Sequence, residues 1–215
     1  MNRIVSVIKK AERELKRTEI KNHTIGAYLS DPYQILIAGI LSSRTRDDVT
    51  FYASKRLFSV AASPRKLVKL SLKQIYKLIR PVGFYRKKSK NILKVSRALI
   101  RDFGSKVPQS QDDLLKLPGV GSKTANLVLS LLYHKPFICV DTHVHRVFNR
   151  LGLVSTPKPQ ETERALRLLV PKKYWSRINP VFVLFGQNIC LPLSPYCSRC
   201  KLRSLCKRKG VKYAR

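Results

Sequence analysis

The sequence predicts an all-α protein, and three observations carry that prediction. Apolar residues recur with helical spacing along most of the chain, helix-start residues stand ahead of the periodic runs, and no alternating strand pattern is sustained. The segment 136–140 (Pro-Phe-Ile-Cys-Val) reads at most as a short extended piece.

At the N-terminus Ile4, Val7, Ile8, Ala11 and Leu15 share one helical face. Arg3, Lys9, Lys10, Glu12, Arg13 and Glu14 interrupt it, so no export-signal core forms. Ser30-Asp31-Pro32 supplies a cap and a first-turn proline for a helix over Pro32–Ser42. Asp47-Asp48 opens a run over 48–60, and Ser63-Pro64-Arg65 reads as a link. Ser71 caps a helix over Leu72–Ile79, and runs over 87–103, 111–117 and 122–132 follow. Asp141-Thr142 starts a helix over Thr142–Leu151, and Thr156-Pro157-Lys158-Pro159 links it to runs over 161–170 and 174–187. There is no internal repeat and no low-complexity segment.

Charge narrows the function classes. The 215 residues carry 44 Lys or Arg against 12 Asp or Glu, a formal net charge of +32. Ion-paired surfaces carry both signs, so a surplus of this size points instead to a polyanionic partner. At 44% hydrophobic residues the chain is too apolar for a disordered basic tail. Its apolar stretches, such as Val181-Phe182-Val183-Leu184-Phe185, fall far below the ~20 residues a membrane span needs. No membrane partner is expected, and cytoplasmic placement (at the nucleoid in a prokaryote) is. From Val49 to Arg101 there are 15 Lys or Arg and no acid, and from Arg164 to Arg215 there are 13 and no acid. Binding to the phosphate backbone follows, with affinity for duplex DNA falling by a log–log slope of about −0.9 per phosphate neutralised as salt rises.

Cysteine placement is equally uneven. Cys190, Cys197, Cys200 and Cys206 form C-x6-C-x2-C-x5-C within 17 residues. Four thiols this close point to a metal centre. One C-x2-C between longer arms suits a [4Fe–4S] cubane, and a structural zinc ion is the second reading. Arg199, Lys201, Arg203, Lys207, Arg208 and Lys209 crowd the same segment, so the centre staples a basic loop. Cys139 sits among apolar residues as a buried small hydrophobe. His23, His134, His143 and His145 lack metal-ligand spacing and read as packing or surface groups.

The segment Leu117-Pro118-Gly119-Val120-Gly121-Ser122-Lys123-Thr124-Ala125 carries the most chemistry. Pro118 stops one helix, and Gly119 and Gly121 permit a tight turn of exposed amides. The next helix begins at once, with its positive end outward, an arrangement that holds a phosphate without reading bases. Lys123 lies in that first turn, where the helix dipole and neighbouring cations favour a neutral, nucleophilic amine. Asp141 is the one carboxylate between Leu114 and Gln160, and by position it is also an N-cap.

Leu117 to Asn126, the run Val140-Asp141-Thr142-His143-Val144-His145-Arg146-Val147-Phe148-Asn149-Arg150 and the four-cysteine spacing together closely resemble the endonuclease III family of helix-hairpin-helix DNA glycosylases. The likeness runs from about Ser30 to Cys206. It implies a six-helix barrel domain over 21–133 with the helix-hairpin-helix. It also implies an iron–sulfur cluster helical domain from 1–20 plus 134–215, with DNA lying in a cleft between the two domains.

The same resemblance implies the chemistry. Lys123 matches the lysine that attacks C1′ of a flipped, oxidised pyrimidine nucleotide such as thymine glycol, and Asp141 matches the aspartate that assists base departure. The imine then permits β-elimination and a nick at an abasic site. Gly119, Val120 and Gly121 match the phosphate-holding hairpin, and the four cysteines match the [4Fe–4S] ligands. Leu41 to Asp47 matches the segment that fills the gap left by the extruded base, with Arg44 where many members have glutamine. Val82-Gly83-Phe84-Tyr85 matches the wedge loop, with Phe84 where an aliphatic residue is common. Both Arg44 and Phe84 can stack in an emptied base position. Without that role, Arg44 is a surface cation and Phe84 a core anchor.

The expected partner is double-stranded DNA with a damaged base or an abasic site, and the chain is expected to act as a monomer. Related glycosylases without the lysine do not use the imine route. A monofunctional mismatch or uracil glycosylase on the same scaffold, and a non-catalytic DNA-binding protein with structural zinc, remain the alternatives.

Overall fold

A computed structural model describes residues 3–17, 20, 22–133 and 137–215. His134, Pro136 and the expected domain edges at 21 and 134 lie outside the described residues. Within them there is no strand, and 137–140 are irregular. In chain order the first helices are α1 (Arg3–Arg17), α2 (Ile25–Tyr28), α3 (Pro32–Ser42), α4 (Asp47–Val60), α5 (Pro64–Leu67) and α6 (Leu72–Ile79). They are followed by α7 (Tyr85–Asp102), α8 (Gln111–Lys116), α9 (Ser122–Tyr133), α10 (Thr142–Leu151), α11 (Pro159–Leu169) and α12 (Trp175–Asn188). The chain divides into two compact units, Met1–Asn22 with Pro136–Arg215, and His23–Lys135.

Local side-chain caps set several of the helix starts. The Asp31 carboxylate accepts from the Gln34 amide, with Pro32 at the first helical position. Ser71 and Gln74 form a reciprocal capping box on α6. Several boundaries differ from the sequence prediction: α2 has no counterpart among the expected runs, α7 runs over Tyr85–Asp102 rather than 87–103, and α11 starts at Pro159, inside the expected link, rather than at 161. Two further differences concern how elements begin. Ser63-Pro64-Arg65 is no link: Ser63 accepts from the Lys66 amide and starts α5, because proline fits the first helical turn. The run predicted over 174–187 begins with a 3-10 turn at Lys172–Tyr174 before α12 continues from Trp175.

In the His23–Lys135 unit, α3 is buried from Tyr33 and Ile35 through Leu41, nearly all round, and packs against α4, α7 and α9. A side chain at Gly39 would meet the Thr124 methyl at 2.9 Å, so glycine sets the close approach of α3 and α9. The Tyr33 hydroxyl meets Ser96 Oγ at 2.8 Å, which satisfies a buried polar pair.

In the other unit, α12 packs against α10 and α1. Phe148 and Phe182 meet edge to face at 4.5 Å between ring centres, beside the buried Ile4, Val7, Ile8 and Ala11 of α1. A bidentate pair from Arg177 to Glu12 joins α12 to α1. No helix among the described residues is long and apolar enough to cross a membrane.

Candidate functional site

The turn between α8 and α9 is built for glycine twice, for different reasons. Gly119 holds φ +82, and a Cβ there would meet Asn91 Nδ2 at 2.4 Å. Its need for glycine is internal to the fold. Gly121 has no positive φ, and among the described residues a Cβ there would meet nothing within 4 Å. The space over Gly121 is open, at the point where α9 presents its first-turn amides. Val120 is buried, and its amide donates to the Leu117 carbonyl at 3.1 Å, which anchors the turn. Lys123 is exposed on the first turn of α9.

Asp141 is the N-cap of α10, half-buried, with Oδ1 accepting from the amides of His143 and Val144, both at 2.9 Å. A single carboxylate oxygen therefore does the capping, and the backbone aims the group rather than a salt bridge. Arg146, on the next turn, donates to the Cys190 and Gly186 carbonyls at 2.9 and 2.8 Å. The helix that begins at Asp141 thus also grips the first cysteine loop.

The structure brings Arg44 and Phe84 together. Both hold left-handed backbone, at φ 50 and φ 57, a conformation that disfavours side chains by roughly 1–2 kcal/mol each. The Arg44 guanidinium carbon lies 5.8 Å from the Phe84 ring centre. Phe84 is 62% exposed, so it is no core anchor.

The support for this pair was not foreseen from the sequence. Lys88, on the first turn of α7, is 6% exposed. Its ammonium donates to the Leu41 carbonyl at 2.7 Å, the Ser43 carbonyl at 2.5 Å and Thr45 Oγ1 at 2.9 Å. Burial pulls Lys88 down from 10.5 to about 8, while three oxygens aimed at its three N–H groups favour the protonated form. In the sequence Lys88 sits inside Arg86-Lys87-Lys88-Ser89-Lys90 and looks like any other solvated cation.

Cys190, Cys197, Cys200 and Cys206 line one cavity with Leu202 and Val147. Among the described residues no three His, Cys, Asp or Glu side chains converge as they would on a single ion. The cysteines face a shared space instead. The donors around them suit thiolates. The Leu202 amide bonds Cys200, the Arg208 amide donates to Cys206 Sγ at 3.4 Å, and Arg150 Nη1 donates to Cys190 Sγ at 3.5 Å. Burial, together with the other three cysteines, pushes the Cys200 thiol up to about 11, and burial also raises Cys206. Four partly buried thiols that line one cavity and meet N–H donors match a group that carries positive charge into the cavity. The residues fit a four-cysteine cluster. Arg150, 9% exposed, also donates to the Leu191 and Pro192 carbonyls at 2.5 and 2.7 Å, a role the sequence did not signal.

The remaining readings resolve simply. Cys139 is buried at 1% exposure. The His23 ring stacks on Phe51 at 4.5 Å, and His145 Nδ1 bonds Thr162 Oγ1 at 2.6 Å.

Residues 37–172 match the family described as HhH-GPD superfamily base excision DNA repair protein. The chain is 45% identical over 207 residues to endonuclease III of Thermotoga maritima, covering 95% of each. It is similar to a solved non-covalent endonuclease III–DNA complex, with a TM-score of 0.86, 33% identity, and 97% of this chain and 96% of that one covered. A trapped endonuclease III–DNA covalent intermediate matches with the same score and identity over 97% of each chain.

Proposed function

The chain belongs to the HhH-GPD superfamily of base excision DNA repair proteins, and within it we propose a bifunctional DNA glycosylase and abasic-site lyase that removes oxidised pyrimidines of the thymine glycol type. The observation that carries this reading is an exposed lysine on the first turn of α9, directly behind a Gly121 whose missing side chain leaves open space. A phosphate held over that space by backbone amides sets a nucleotide's sugar against a fixed amine.

The steps follow from the groups. The Lys123 amine, neutral when it attacks, forms a bond to C1′ of the extruded nucleotide as the C1′–N bond to the damaged base breaks. The leaving base takes the electron pair and a proton. The Asp141 carboxylate stabilises the cationic sugar. Ring opening gives an imine between Lys123 Nζ and C1′. Loss of a C2′ proton then expels the 3′ phosphate, and the strand is nicked by β-elimination. Extruding the base costs a few kcal/mol, least for a damaged base, and that difference contributes to selectivity. Similarity to a protein solved as a trapped covalent DNA intermediate supports the imine route. The +32 charge supports duplex DNA as the partner.

Cys190, Cys197, Cys200 and Cys206 would hold a [4Fe–4S] cluster, which when bound neutralises four thiolates and cross-links the basic 190–206 loop. Arg150 and the Arg208 amide stabilise those sulfurs with hydrogen bonds. No step of base removal passes through this centre.

Borohydride trapping on a duplex with one thymine glycol tests the proposal. A covalent adduct with the wild-type chain, absent in Lys123→Ala, is expected. Strand cutting in Lys123→Ala should fall by about three orders of magnitude or more, the scale of losing a nucleophile. Tight binding with no adduct on this lesion or on an abasic site, and cutting only after alkali, would overturn it in favour of a monofunctional glycosylase.

A further inference from the structure

We infer that Lys88 is a positioning residue that clamps the 41–45 and 82–84 segments together, so that Arg44 and Phe84 enter the DNA as one rigid pair. The inference rests on the proposed glycosylase reading and extends it to a residue that touches no DNA.

The geometry is specific. Lys88 reaches the Leu41 and Ser43 carbonyls and Thr45 Oγ1, which frame Arg44 on both sides. Thr45 Oγ1 in turn accepts from the Gly83 amide at 3.2 Å, one residue before Phe84. The Phe84 carbonyl accepts from the Lys88 amide at 3.0 Å, which makes Phe84 the cap of the helix that carries the lysine. One buried cation therefore closes a loop of contacts through both segments. Gly83 completes it: a Cβ there would meet the Arg44 carbonyl at 2.7 Å, so the two backbones touch where a side chain would part them.

Such a clamp explains why two non-glycine residues hold left-handed backbone side by side. A lone loop would relax, but here both flanks are tied. A pair inserted to replace an extruded base needs a fixed spacing before it meets the stack, since a pair that orders only on insertion loses binding free energy to entropy. The ammonium is a suitable tie because its three N–H groups meet three oxygens spread along the 41–45 segment, while the backbone amide of the same residue holds Phe84.

The test compares wild type, Lys88→Met and Gly83→Ala. Lys88→Met removes the donors, and Gly83→Ala pushes the segments apart without touching the buried charge. Each is assayed on a thymine glycol duplex carrying 2-aminopurine beside the lesion, and on a single-stranded oligonucleotide with a preformed abasic site. The single strand needs no base extruded and no gap filled. Both variants should lose duplex excision by about 10²-fold, the cost of misplacing a positioning group by ~1 Å, and should lose the 2-aminopurine rise on binding. Both should form the borohydride adduct and nick the single strand at the wild-type rate.

Equal losses on both substrates would reduce Lys88 to a fold-stabilising residue, and full duplex excision in both variants would remove the clamp. A wild type that gives no adduct yet still raises 2-aminopurine emission overturns the lyase reading instead. The variants' emission then judges the clamp alone.

Discussion

The Arg44 guanidinium and the Phe84 ring lie 5.8 Å apart, and each sits on a left-handed backbone residue at φ 50 and φ 57. Two strained, solvent-facing residues in contact are a poor way to stabilise a fold and a good way to present a wedge. Phe84→Gly removes a left-handed cost of roughly 1–2 kcal/mol and adds roughly 0.5–1 kcal/mol of unfolded-state entropy, so stability should hold or rise slightly. Excision from duplex DNA should fall. A drop in Tm of many degrees by calorimetry would show that Phe84 anchors the core after all.

Asp141 caps α10, and it is also the carboxylate we propose to stabilise the cationic sugar; two substitutions separate the two roles. Asp141→Asn keeps an oxygen to accept from the His143 and Val144 amides, whereas Asp141→Ala loses the cap and about 1 kcal/mol of stability. Both should lose base removal while still cutting a preformed abasic site. Denaturant melts of the two variants beside excision assays check this. An active Asp141→Asn would leave the carboxylate with a capping role only.

The two hairpin glycines should fail differently. Gly119→Ala meets Asn91 at 2.4 Å in left-handed backbone and should lose at least about 1–2 kcal/mol of stability. Gly121→Ala meets nothing within 4 Å among the described residues, so its Tm should match wild type while its DNA affinity falls. Unchanged affinity in a folded Gly121→Ala would argue against a phosphate at that turn.

Metal analysis offers an independent check on the cysteine cavity. The purified chain should be brown and contain iron and acid-labile sulfide in equal amounts. Cys200→Ala, which leaves three partly buried thiols around the cavity, should be colourless and markedly less stable. A colourless wild type with stoichiometric zinc would replace the cluster with the second reading.

Lys88 predicts a pH dependence with a defined sign. Burial lowers its value from 10.5 to about 8, so between those limits the unfolded chain holds this proton and the folded chain has released it. Stability contributed by this group therefore rises as pH climbs from 8 towards 10.5, and its cost is fully present below 8. The groups it meets, two carbonyls and a threonine hydroxyl, do not titrate in that window. Wild type should gain on Lys88→Met in unfolding midpoint between pH 8 and 10. A constant gap would mean that Lys88 stays protonated throughout.

Much of this molecule is legible in short windows. The helices Pro32–Ser42, Leu72–Ile79 and Thr142–Leu151 are foretold residue for residue, because apolar spacing and a cap lie within the element itself. Pro64–Leu67 escaped, since four residues are too few to show a period. The four cysteines lie within 17 residues of one another, and Lys123 directly follows the glycine turn, so each group of candidate residues is written contiguously.

Lys88 marks where such reading stops. Nothing local distinguishes it from Lys87 or Lys90. What buries it is a carbonyl 47 positions earlier, brought to it by the packing of α3 against α7. The same distant contacts pair Arg44 with Phe84, and the same kind of contact holds Arg150 against Cys190. Residue type and spacing specify helices, turns and the reactive groups they carry, because those depend on neighbours a few bonds away. Which cation is buried, and which loops it ties, depends on chain closure over tens of residues, and that is decided only when the helices pack.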